Sequence, residues 1–105
     1  MNSDEERLNE DLETALRERV HLDYADPPCW IEPDELNPQR LVVSADGLRE
    51  REAFRFLRGM ARTLASDKAL IVDFGTNCPD KEVAIVLGNL TKKGAFLLLQ
   101  ELALG

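Results

Sequence analysis

The residues able to do chemistry are few and fall in separate stretches. His21-Leu22-Asp23 with Asp26 sets one imidazole beside two carboxylates. Those donors suit a divalent cation, but the run matches no zinc or calcium spacing and reads as a solvated acidic loop. Cys29 and Cys78 are the only cysteines and His21 is the only histidine. A cysteine nucleophile needs a base, and an isolated cysteine more often packs as a small apolar residue. Arg51, Arg55, Arg58 and Arg62 recur at spacings of four, three and four. On a helix this puts four guanidinium groups on one face, where they could hold a phosphate or carboxylate. The plainer expectation is a solvated face, partly neutralised by Glu50 and by the acidic N-terminal segment.

Tyr24-Ala25-Asp26-Pro27-Pro28-Cys29-Trp30 resembles the catalytic motif of the amino-methyltransferases. In that family the acid and a backbone carbonyl bind the target amine and the aromatic stacks on the base. The resemblance implies those roles for Asp26 and Trp30. It covers these seven residues and departs from the family pattern where Cys29 precedes the aromatic. No apolar strand leads into the motif, and only Val72-Asp73-Phe74-Gly75-Thr76-Asn77 stands where a glycine-rich cofactor loop would be needed. A short motif without its context does not establish an enzyme, and no cofactor or metal is expected.

The chain has 105 residues, 44% apolar and 31% charged, with a net charge of −7. This describes a globular chain that reads as one domain over 1–105. Its acidity argues against general binding to nucleic-acid phosphate and permits a basic protein partner, bound through the acidic first helix. Two cysteines make no disulfide framework, and no secretory pattern opens the chain. A reducing, cytoplasmic setting is expected. The apolar run near the C-terminus falls short of the roughly 20 residues of a membrane span.

Three segments differ in pattern. Residues 1–20 form an amphipathic helix: Ser3-Asp4-Glu5-Glu6 fits a capping box, and Leu8, Leu12, Ala15, Leu16 and Val20 recur at helical spacing. Residues 21–39 hold Pro27, Pro28, Pro33 and Pro38 among acidic residues and read as a loop that folds Trp30 and Ile31 back onto the core. Residues 40–105 form an α/β core. Strands are expected at 40–44, 69–74 and 83–87, with Ile71, Val72, Phe74, Ile85 and Leu87 buried. A helix from Gly47 to Ala65, capped by Ser44 or Asp46, is expected to bury Ala53, Phe54, Leu57, Met60, Ala61 and Leu64. The connection through that helix makes the first two strands parallel, and the short Gly75–Glu82 link, with turn chemistry at Asn77 and Pro79-Asp80, makes the last two antiparallel. The expected fold class is α+β, a small mixed sheet of about three strands in the order α-β-α-β-β-α.

The last helix, capped by Asn89 or Thr91 and ended by Gly105, is apolar nearly all round. A second element must cover it, either Leu8–Val20 or a neighbouring subunit. The first functional expectation is therefore a non-enzymatic cytoplasmic interaction or regulatory module, self-associating through Leu8, Leu12, Leu16, Phe96, Leu98 and Leu102. The second is an anion or small-molecule sensor using Arg51, Arg55, Arg58 and Arg62 with Tyr24 and Trp30. The third is a small enzyme built on His21, Asp23, Asp26 or Cys78.

Overall fold

The N-terminal helix is shorter than the expected 1–20: α1 spans Ser3–Ala15, with Leu8, Leu12 and Ala15 buried, and Val20 opens a strand instead. The computed structural model describes residues 3–66, 70–77 and 82–104. After α1 come β1 (Val20–Leu22), β2 (Cys29–Pro33), β3 (Leu41–Leu48), α2 (Glu50–Ser66), β4 (Leu70–Asn77), β5 (Glu82–Leu90) and α3 (Lys92–Ala103). The fold is α+β, with three helices and one sheet among the described residues.

The sheet differs from expectation in two ways. It has five strands in the order β1-β2-β3-β5-β4, and every adjacent pair is antiparallel rather than mixed. The crossover through α2 does join two strands of the same direction, as its length requires. It skips one place, however, and β5 fills the gap between β3 and β4.

The extra strands lie in the proline-rich segment expected to be a loop. Pro27 and Pro28 fall in the β1–β2 connection and Pro33 ends β2, so none interrupts a strand interior. Val20, His21 and Leu22 pair with Ile31, Trp30 and Cys29. Alternation along β2 buries Cys29 and Ile31 but turns Trp30 to the opposite face. The expectation that Trp30 and Ile31 both reach the core is thus met by Ile31 alone.

One sheet face carries Leu22, Ile31, Val43, Ile85 and Leu87, all fully buried. β3 runs through the expected helix start, with Gly47 at φ +64, and α2 begins at Glu50. Thr91 caps α3, its hydroxyl accepting the Gly94 N–H at 2.9 Å. The side chains of Leu64, Ile71, Val72 and Phe74 lie outside the described residues, as do Asp67, Lys68, Cys78, the Pro79-Asp80 turn and Gly105.

α3 lies between α1 and α2 and packs on the sheet. Leu98, Leu99 and Leu102 are buried, and Phe96 is half-buried against the core. The cover for Leu98, Leu99 and Leu102 is therefore internal. Leu8, Leu12, Leu98 and Leu102, expected at a subunit interface, lie in the chain's own core, and Leu16 and Phe96 pack against it.

The α2–α3 contact is made by small residues. A Cβ on Gly59 would stand 2.7 Å from Leu98 Cδ1 and 2.8 Å from the Leu98 carbonyl oxygen. The Thr63 hydroxyl lies 3.1 Å from the carbonyl oxygens of both Gly59 and Gly94, and its one proton serves the two. This approach fixes the rotation of α2 about its axis. Phe56, Met60 and Thr63 point inward. Phe54, Leu57 and Ala61, expected in the core, point outward, with Phe54 61% and Leu57 38% exposed.

Gly59→Ala tests this contact. In an open helix the change stabilises by about 1 kcal/mol. Here it is expected to cost about 1–3 kcal/mol through overpacking against backbone. An unchanged or raised denaturation midpoint would contradict the close approach.

Candidate functional site

The four arginines share one face of α2, as their spacing requires, and they pair with carboxylates from outside the helix. Asp26 Oδ2 receives Arg55 Nη1 at 3.3 Å and Arg51 Nη1 at 3.5 Å. Glu101 receives Arg62 Nη1 at 3.3 Å and Arg58 Nε at 3.6 Å. Arg55 also donates through Nη2 to the Glu101 carbonyl oxygen at 3.1 Å. The Asp26 N–H donates to the Leu102 carbonyl oxygen at 2.9 Å. The C-terminal turn of α3, whose carbonyls no longer find helical partners, is closed by these two groups. A guanidinium there also complements the helix dipole. Two carboxylates among four guanidiniums leave the stripe net positive.

These contacts account for the Asp26-Pro27-Pro28 motif. Asp26 is held on the helical side by Arg51 and Arg55, whereas Trp30 stands on the opposite sheet face. An acid and an aromatic separated by the sheet cannot grip one amine, so the arrangement implied by the methyltransferase resemblance is not formed. Trp30 has its own partners: the His21 ring at a centroid distance of 4.3 Å and the Arg19 guanidinium at 3.9 Å. Arg19 also pairs with Glu32 at 3.1 Å.

Tyr24 is not brought to Trp30 either. Its hydroxyl donates to Asp11 Oδ2 at 2.6 Å and Arg7 lies over its ring, fastening α1 to the turn. Burial, then the Asp11 hydrogen bond, raises the phenol pKa well above its usual value. Asp23 pairs with Arg7 at 3.7 Å, so His21, Asp23 and Asp26 go to different partners. Among the described residues, no group of three His, Cys, Asp or Glu side chains could hold a metal ion. Cys29 is a free thiol whose Sγ donates to the Pro27 carbonyl oxygen at 3.3 Å. Burial pushes its pKa up to about 12, which keeps it protonated and unreactive.

Besides a groove lined by Glu5, Asn9, Lys92, Lys93 and Phe96, two surfaces among the described residues are open. Strand alternation brings Trp30, Val42, Ser44, Ala84 and Val86 to the uncovered sheet face, where two shallow grooves of about 370 and 400 Å³ meet at Val86. The other surface is the outer face of α2. Arg51 lies three residues before Phe54 and Arg58 four after it, so both flank its ring on the helix surface. Leu57 continues the apolar strip on the other side. The sequence held one pointer to this face, a glycine in mid-helix at position 59, which marks close packing on one side and hence exposure of the other. Among the described residues, no helix is long and apolar enough to cross a membrane.

Comparison of the chain with protein-family models, with curated proteins and with solved structures gives no match.

Two measurements check the site. Arg55 is only 22% exposed in its side chain and holds two elements to α2. Arg55→Ala is expected to cost about 1–3 kcal/mol. Arg51→Ala, at an exposed pair, should cost less than about 1 kcal/mol. Equal losses would contradict the clamp. In a Cys78→Ser variant, Cys29 should resist alkylation at pH 8 until the protein unfolds. Its raised pKa means the folded state keeps the proton longer than the unfolded state. That contribution to stability is complete below about pH 9 and lost as pH rises towards about 12. Rapid labelling of the folded variant would contradict the burial.

Proposed function

We propose that the chain is a non-enzymatic protein-interaction module whose contact surface is the outer face of α2. The observation that carries this reading is the exposure of Phe54 beside Leu57 on a helix whose other face is fully used. Leaving a phenylalanine in water forgoes about 1.5–3 kcal/mol of burial, a cost that a partner would recover. Binding hot spots favour aromatic residues and arginine, and Arg51 and Arg58 border Phe54. The separation of His21, Asp23 and Asp26 and the inert Cys29 thiol speak for binding over catalysis. A free, buried thiol also suits a cytoplasmic setting.

Random-peptide display against the parent protein, counter-selected with a Phe54→Gln, Leu57→Gln double variant, tests the reading. Both residues are exposed, so the variant should fold with the parent's stability to within about 0.5 kcal/mol. Peptides retained by the parent and lost from the variant are expected. Enrichment indifferent to both substitutions, or no enrichment, would overturn the proposal.

A further inference from the structure

The outer face of α2 has an apolar centre and a basic flank. Phe54 and Leu57 form the centre, and Arg51, Arg58 and Arg62 line one side. Resting on the docking role proposed above, we infer that the partner is an acidic amphipathic segment of another protein, lying along α2 with apolar residues on Phe54 and Leu57 and carboxylates on the arginines.

The geometry within the chain supports this chemistry. Asp26 sits between Arg51 and Arg55, and Glu101 between Arg58 and Arg62. The stripe thus already accepts a carboxylate between successive arginines one helical turn apart. A guanidinium has five N–H donors in a planar fork. These internal pairs use one or two donors on each of Arg51, Arg55 and Arg58. Arg51 and Arg58 are both 68% exposed, so further donors face solvent. Seventeen residues make a helix about 25 Å long, enough to seat about four turns of a partner.

A second copy of the chain fits less well. Two antiparallel α2 helices facing each other about a two-fold axis would set their arginine flanks side by side. Like charges so placed disfavour the pair. Nucleic acid is disfavoured by the net charge of −7. The local stripe instead selects a partner whose negative charge is concentrated at the contact.

A synthetic amphipathic peptide of about 16 residues, roughly four turns, tests the inference, with Leu at helical spacing and Glu elsewhere. A matched peptide carries Lys for every Glu. Binding is followed by NMR shifts of the intact protein and by calorimetry. The Glu peptide is expected to bind, with shifts centred on α2, and the Lys peptide not to. Affinity should fall as salt rises from about 0.05 to about 0.5 M. An Arg51→Ala, Arg58→Ala double variant should lose about tenfold or more in affinity, the range of truncated hot-spot residues. If both peptides bind equally, lose binding in the Phe54→Gln, Leu57→Gln variant and ignore salt and the arginine substitutions, the docking surface stands and the acidic partner is overturned. If neither peptide shifts α2, the inference falls and the docking surface is left to the display selection. Concentration-dependent shifts of α2 without peptide would replace the acidic partner with a second copy.

Discussion

The approach of Gly59 to the Leu98 backbone is the constraint on which the rest of the helical layer depends. With no Cβ at 59, α2 and α3 come close enough for Thr63 to reach carbonyls on both helices. That contact decides which side of α2 faces α3 and therefore which side faces water. It also leaves α3 between two neighbours. With α1 on one side, α2 on the other and the sheet beneath, Leu98, Leu99 and Leu102 find burial within their own chain.

The arginine stripe follows from the same rotation. Once Gly59 faces α3, Arg55 reaches the last turn of α3 and the Asp26 turn together. The residues that suggest an anion site from their spacing are therefore engaged in holding three segments in place. Their charge is only partly cancelled, because Asp26 and Glu101 are each shared between two guanidiniums. Two acidic residues of α1 go elsewhere: Glu13 pairs with Lys92, which lowers the glutamate pKa, and Asp11 takes the Tyr24 hydroxyl. The positive stripe thus coexists with a strongly negative chain.

Much of the α+β plan is legible in the sequence. Strand propensity marks β3, β4 and β5, and the short Gly75–Glu82 connection gives the antiparallel β4–β5 pair. Connection length sets strand direction but not which strand is the neighbour, so the insertion of β5 between β3 and β4 was not readable. The β1–β2 hairpin was hidden by proline content, because composition does not reveal that Pro27, Pro28 and Pro33 all avoid strand interiors. For α2, apolar residues occur around most of the circumference. Periodicity therefore pointed to one buried face with Phe54, Leu57 and Met60, whereas the Gly59 contact turns Phe56 and Met60 inward and leaves Phe54 and Leu57 outside. The arginine spacing was plain, but its partners lie 25 to 46 residues away along the chain, beyond local pattern.

The rotation of α2 can be measured directly in the free protein. Paramagnetic relaxation by a soluble nitroxide, read on the ring protons of Phe54 and Phe56, compares the solvent access of two aromatics two residues apart. Strong broadening of Phe54 with Phe56 protected is the predicted result. Phe54 protected, or both rings equally protected, would contradict the rotation and remove the exposed face on which the docking role rests.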